Sequence, residues 1–239
     1  MPDLFDTKFG QFLAALVGAQ VSSGKWLEPT ITLADSLLKW AGEKPGNYDL
    51  PLLGSGADAK VFWLRSDRKK ALKITTDNED ARSCNILNKK PNKSLLTIHK
   101  VALLPGGFGY AILIEKLNPL SSSEEKKWEN LIHGLRTLNL GFIHHGMSED
   151  WLGDVKDEIA LCEKDEIYTW EVDAIKEVLP TLETWVPLLT ERGILWRDFH
   201  VGNIMMRRTT PIICDYGRSS VRGGSSIKKL PLTQSLKDF

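Results

Sequence analysis

Cysteine, long apolar runs and surplus charge are what this chain of 239 residues has least of. Its three cysteines, Cys84, Cys162 and Cys214, are odd in number and form no C-x-x-C pair. That argues against a disulfide framework or a zinc site, suggests a reducing compartment, and leaves each cysteine as small buried filler. Thirty-one basic residues balance 31 acidic ones, so nothing calls for nucleic acid or an anionic membrane as partner. No apolar run reaches the ~18 residues that a spanning helix needs, and the N-terminus lacks the charged-then-apolar pattern of a signal peptide. The expectation is a soluble, cytoplasmic protein. There is no internal repeat, and low complexity is confined to SSVRGGSS near the C-terminus, which reads as mobile linker. What is present, 42% hydrophobic and 26% charged residues, suffices for one large domain or two lobes.

Residues 1–48 read as helical. Phe5, Phe9, Phe12, Leu13 and Leu16 recur at helical spacing, as do Leu33, Leu37, Leu38 and Trp40, with Ser22-Ser23-Gly24 as the break and Pro45-Gly46 as the close. This is an extension packed on the domain behind it, and also a candidate surface for a protein partner. From Leu50 to Thr75 the period changes to strand, Gly-rich turn, strand, polar turn, strand. Gly54 and Gly56, with Ser55 between them, let backbone N–H groups approach a ligand. Val61-Phe62-Trp63-Leu64 follows directly, too β-prone for the helix that a dinucleotide-binding turn requires. A Gly-rich hairpin over phosphates fits better. Lys73 lies in the apolar strand ALKIT and, if inward, needs a carboxylate or phosphate. The helical segment after it offers Glu79 or Asp80. Glu79, on one face with Ser83 and Leu87, is preferred.

Residues 94–117 supply two more strands around Pro105-Gly106-Gly107, which completes five strands with one helix between the third and fourth. Glu115 to Pro119 reads as a linker to a helical region. Ser121 to Glu125 has the look of a helix start, continuing through Trp128, Leu131, Leu135 and Leu138. Residues 144–170 are acidic and read as an irregular, solvated loop; His144 and His145 are adjacent and lack the spacing of a helical metal pair. A long helix is expected over about 171–192, kinked or broken at Pro180 and Pro187.

The chemistry concentrates in Ile194 to Gly217. Asp198, Asn203 and Asp215 are hard oxygen ligands around an apolar strand pair, NIMM and PIIC. Such a set suits Mg²⁺, which takes one or two carboxylates plus substrate phosphates. Solvated turn residues of a β-hairpin are the bland alternative.

In this order the motifs resemble those of the protein kinase-like superfamily. GSGADAKV is similar to the glycine loop G-x-G-x-x-G-x-V, with Ala59 for the third glycine. Trp196-Arg197-Asp198 resembles the H-R-D triplet with Trp for His, Asn203 matches the catalytic-loop asparagine, and Asp215-Tyr216-Gly217 matches D-F-G. The resemblance covers roughly residues 50–220. It implies an α+β, two-lobed fold, with a five-stranded antiparallel N-lobe over 49–117 and a reduced helical C-lobe over 118–220; the helical extension over 1–48 precedes it and a flexible tail over 221–239 follows. It also implies ATP and Mg²⁺. Gly54, Ser55 and Gly56 cover the phosphates, Val61, Ile114, Glu115 and Leu117 line the nucleotide, and Lys73, held by Glu79, contacts its inner phosphates. Asn203 and Asp215 hold the metal, and Asp198 orients the acceptor hydroxyl.

Two departures qualify the resemblance. Asp198-Phe199-His200-Val201-Gly202-Asn203 carries His where serine/threonine kinases usually carry Lys, a form similar to the aminoglycoside and choline phosphotransferases. His200 either stands near the γ-phosphate or is structural within its loop. Only 22 residues follow Gly217, so the expectation is a minimal kinase of the kind bacterial effectors and phages use, acting in a host cytoplasm, with no phosphorylated activation loop to pair Arg197. A serine/threonine protein kinase is the first reading, a small-molecule phosphotransferase the second, and a pseudokinase binding module the third. The tail serines Ser219, Ser220, Ser225 and Ser226 are candidate autophosphorylation sites. The protein substrate is not named by the sequence.

Overall fold

The computed structural model describes residues 4–16, 27–140, 146–222 and 226–230. The chain forms two compact units, one of Met1–Asn88, Thr97–Lys116 and Ser225–Phe239, the other of Lys89–Leu96 and Leu117–Gly224.

The first unit is built on five antiparallel strands: β1 (Leu52–Ser55), β2 (Ala59–Trp63), β3 (Lys70–Thr75), β4 (Ile98–Leu103) and β5 (Tyr110–Glu115), in the order β1-β2-β3-β5-β4. Alternation along the strands sorts their side chains onto two faces. Phe62, Leu72, Ile74, Ala102, Ala111 and Leu113 turn to one face and share a core with Leu4, Phe9, Leu13, Leu33, Leu37 and Leu38. Leu4 lies in a 3-10 turn (Leu4–Asp6), and the others belong to α1 (Lys8–Leu16) and α2 (Leu27–Ala41). The N-terminal helices thus contribute to this unit's core. Glu43, just past α2, ties them to the β2–β3 turn. It is buried and accepts from the backbone N–H groups of Arg65 at 2.7 Å and Ser66 at 3.0 Å.

The other sheet face carries Val61, Lys73 and Ile112, which are paired side by side across β2, β3 and β5. Against Lys73 comes α3 (Asn78–Lys89), whose first turn is capped by Asp77 accepting from Glu79 N at 2.8 Å and Asp80 N at 3.2 Å. The reading of residues 221–239 as flexible tail fails for Ser226 to Leu230. This segment bridges the edge of β4, Leu103 N donating to Lys228 O at 2.9 Å and Leu230 N to Leu103 O at 2.8 Å, and Leu230 is buried in the core.

The second unit is mainly helical, with α4 (Ser122–Thr137), α5 (Glu149–Asp165) and α6 (Thr169–Glu191), α4 and α5 both packing on α6. Two expectations are corrected here. Most of the segment read as a loop over 144–170 is α5, because Ser148 caps it through Trp151 N at 3.1 Å and Trp151, Leu152, Val155, Ile159 and Cys162 make a buried stripe at helical spacing. His144 and His145 lie outside the described residues, as do Ser22, Ser23 and Gly24. Helix α6 runs unbroken through Pro180 and Pro187. An interior proline costs about 3 kcal/mol, and the burial of Val178, Leu182, Trp185, Val186 and Leu189 between neighbouring helices offsets it.

Short pairs complete the second unit: β6 (Ile194–Leu195) with β9 (Ser220–Val221), and β7 (Ile204–Arg207) with β8 (Thr210–Ile213). Arg207 fastens the segment after α3 to this unit through the carbonyls of Lys93 and Leu95, the latter at 2.8 Å. No described helix is long and apolar enough to cross a membrane.

Candidate active site

In the first unit, Lys73 and Asp80 form an ion pair at 2.8 Å, 2% and 1% exposed respectively. This overturns the preference for Glu79, which instead pairs with Arg82 at 2.9 Å on the half-open side of α3. The reason is helical phase. Asp80, Ser83, Cys84 and Leu87 form the buried stripe of α3, and Glu79 lies off its edge. Two charges removed from water cost several kcal/mol each, and mutual attraction repays that only with good geometry.

The Gly-rich turn ends β1. Gly54, Ser55 and Gly56 are all exposed, and Lys60 Nζ donates to Ser55 Oγ at 3.1 Å. A Cβ added at Gly54 would meet nothing within 4 Å, and one at Gly56 only Ala59 O at 3.9 Å; neither glycine has the positive φ that would demand it. The fold does not require glycine at either place. Bare backbone there leaves room for a ligand.

Ile114 is buried at the end of β5. Beyond it the backbone donors are mostly committed: Glu115 N to Thr97 O at 3.0 Å, Lys116 N to Lys69 O at 2.7 Å, and Asn118 N to Met206 O at 2.9 Å. The Glu115 carboxylate accepts from Thr97 N at 2.7 Å. The N–H of Leu117 alone in this run has no partner among the described residues. It is a free donor at the place expected to meet a planar base.

In the second unit, the loop from Trp196 to Asn203 rests on an aromatic cluster. The Trp128 and Trp185 rings stack at 5.3 Å, and Trp196 and Phe199 meet edge-on at 5.3 Å. Trp196, which stands where the kinase pattern has His, is fully buried and supports the loop by packing. On this floor Asn203 clamps Asp198. Its Nδ2 donates to Asp198 O at 2.8 Å and to Asp198 Oδ2 at 3.1 Å. The Asn203 Oδ1 accepts nothing from the described residues. Asn203 O in turn accepts from Cys214 N at 2.9 Å, which ties β8 and the following Asp215 to the loop. Asp215 Oδ1 accepts from Gly217 N at 2.9 Å, a turn that fixes its carboxylate.

Two basic groups flank Asp198: His200 Nε2 stands 3.7 Å from Oδ2 and Arg218 Nη1 stands 3.8 Å from Oδ1. Arg218 was missed in the sequence; its signal is a basic residue directly after Asp-x-Gly, held with φ of 54°. A Cβ on Gly202 would lie 3.1 Å from the exposed His200 ring, a tight contact. Arg197 is exposed and has no polar partner among the described residues.

Among the described residues no three His, Cys, Asp or Glu side chains gather as a metal cluster. The donor set that does fit a cation is one carboxylate, Asp215, and one amide oxygen, Asn203 Oδ1. That is a sparse hard-oxygen set of the kind Mg²⁺ uses when phosphates and water complete its shell.

The residues expected at the site thus occur in two groups. Gly54, Ser55, Gly56, Val61, Lys73, Ile114 and Glu115 belong to the first unit. Leu117, Asp198, His200, Asn203 and Asp215 belong to the second.

No family model matches the chain, and no curated protein matches it. Among solved structures it is similar to the Cydia pomonella granulovirus kinase PK-1, at 17% identity and a TM-score of 0.39, over 74% of this chain and 57% of that one. The chain therefore spans less than two thirds of that protein's length. The class defined by the coordinates is α+β, a five-stranded antiparallel sheet unit followed by a reduced helical unit, as the kinase-like resemblance implies.

Proposed function

We propose that the chain is an ATP-dependent phosphotransferase that passes the γ-phosphoryl group to a protein serine or threonine. The observation that carries this reading is the Asn203 clamp. One amide orients the Asp198 carboxylate with its nitrogen and keeps its oxygen for a cation. Phosphoryl transfer runs through a loose transition state in which catalysis is mostly positioning and charge neutralisation, and this loop supplies both. Asp198 orients the acceptor hydroxyl and takes up its proton. Lys73, kept in place by Asp80, neutralises the inner phosphates. Gly54, Ser55 and Gly56 present backbone N–H groups to the outer ones, and Leu117 N–H donates to the base. Asn203 Oδ1 and Asp215 would hold Mg²⁺, which when bound screens phosphate charge. Arg218 adds positive charge beside Asp198, and the His200 ring stands beside the same carboxylate.

A small-molecule acceptor is the second reading, favoured by the His200 ring seated over Gly202 in the D-x-H-x-G-N loop. Purified protein with γ-labelled ATP and Mg²⁺ tests the proposal. Transfer to protein substrates, abolished by Asp198→Ala while nucleotide still binds, supports it. Transfer that survives in Asp198→Ala refutes it. Phosphorylation of an aminoglycoside or choline in preference to protein establishes the second reading.

A further inference from the structure

Five large apolar side chains stand exposed among the described residues, and four of them fall within one ten-residue stretch of the second unit: Leu161, Ile167, Tyr168 and Trp170, each between 46% and 50% open. They surround the turn from α5 into α6. The buried stripe of α5 is made by other residues, so these four do not serve its packing. Trp170 leans on the His133 ring of α4, edge-on at 5.2 Å, and is otherwise half open.

The same stretch is strongly acidic. From Glu149 to Asp173 there are ten carboxylates against two lysines, in a chain whose charges balance overall. Lys156 is engaged by Glu183 at 2.7 Å, and Glu163 by Lys176 at 2.5 Å. Asp165, Glu166, Glu171 and Asp173 have no ion pair among the described residues. Two of these stand where a helix disfavours them. Asp165 and Glu166 close the C-terminal end of α5, where the backbone carbonyls favour cations. Glu166 and Tyr168 also adopt left-handed backbone, φ 54° and 50°, where Gly or Asn is the easier choice. The negative field reaches inward. The thiol of Cys162 is held above its ordinary value by desolvation first, then by Glu158, Asp165 and Glu171. Helix stability and solubility would each place different residues here, which is the pattern of a surface kept for binding.

We propose that the α5–α6 turn docks a segment of a partner protein that is rich in lysine and arginine and carries apolar side chains. The carboxylates receive its cations. Tyr168 and Trp170 receive its apolar groups and the aliphatic stems of its basic residues, with cation–π attraction on the ring faces. Self-association through this patch is disfavoured, because a two-fold pairing sets the same carboxylates against one another. The inference does not depend on nucleotide chemistry.

The test is fluorescence anisotropy of a labelled short peptide alternating lysine and leucine, titrated with the full chain without nucleotide. Binding is expected to weaken at least tenfold in Tyr168→Ser/Trp170→Ser and in Leu161→Ser/Ile167→Ser. Asp165→Lys/Glu166→Lys is expected to weaken it and flatten its salt dependence. All these side chains are exposed, so circular dichroism should report an unchanged fold. Three results would overturn the proposal. They are wild-type binding by both the aromatic and the aliphatic variants, equal binding of a lysine–serine peptide, and a light-scattering dimer that the aromatic variant dissolves.

Discussion

Asp80→Ala removes the counter-charge from an ammonium that is 2% exposed and 2.8 Å away. Losing one member of a buried pair leaves the other uncompensated, at a cost of about 3–5 kcal/mol. The neighbouring Glu79–Arg82 pair is about one-third open on both sides. Glu79→Ala should therefore cost only about 0.2–1 kcal/mol. Against a total stability of roughly 5–15 kcal/mol, the first loss is large and the second barely measurable. Urea denaturation of the two variants side by side reads the difference as a displaced midpoint. A third variant, Lys73→Met/Asp80→Leu, removes both charges and fills the space with apolar atoms. Replacing a buried pair in this way is often neutral or stabilising by about 1–4 kcal/mol, so its stability should return to wild type or above. Its nucleotide binding should stay lost, because the ammonium is gone. If Asp80→Ala costs no more than Glu79→Ala, the buried pair is not what the geometry says it is. If the double variant binds ATP normally, Lys73 is structural and the assignment of its role fails.

Four further outcomes follow from other parts of the fold. Gly56→Ala should leave stability within about 0.5 kcal/mol, since only Ala59 O lies within 4 Å of the added carbon; nucleotide affinity, read by titration, should fall. Asn203→Leu should lower transfer at least tenfold, read with labelled ATP, by freeing Asp198 and removing a metal ligand. Burial pulls the Glu43 carboxyl upward, but hydrogen bonds from Ser66, Asn47, Arg65 and Lys44 outweigh it and hold the group below its ordinary value. Its contribution to stability is therefore fully present above the unfolded value of about 4.3 and is lost as pH falls through the lower folded value. Glu43→Gln sets an amide against backbone donors, so it should cost about 1–3 kcal/mol at pH 7 and weaken the acid dependence of the denaturation midpoint. Leu230→Ala should cost about 2–5 kcal/mol by urea denaturation, although a Gly- and Ser-rich run precedes it.

The sheet was legible because its strands are short, β-prone apolar runs and its turns are marked by Gly, Pro and Asp. The order of five strands with a helix after the third needed no tertiary information. Asp198, Asn203 and Asp215 were legible through spacing, and the structure brings the first two into contact and links the third through Cys214 N. Asp80 was not. Adjacent helical positions differ by about 100°, and Ser83 and Leu87 flank the buried stripe whichever of residues 79 and 80 is placed at its centre. Helix α5 was hidden by its carboxylates, which mask the stripe of Trp151, Val155, Ile159 and Cys162. The two prolines of α6 illustrate tertiary packing overriding a local penalty. Leu230 could not be found from sequence, because one bridge to β4 and one buried side chain leave no periodic trace. The autophosphorylation expected of the tail serines meets a similar obstacle. Ser219 is buried and Ser220 lies in β9, Ser226 is exposed, and Ser225 is outside the described residues.

The proposed phosphotransfer requires that Lys73 and Asp215 both act in one reaction. A double-mutant cycle on phosphoryl transfer, with Lys73→Met, Asp215→Ala and the two combined, measures it directly. Each single change should abolish turnover to the assay floor or near it, and the combined variant should be no worse than the poorer single one. Wild-type turnover in either single variant, or losses that simply multiply, would contradict it.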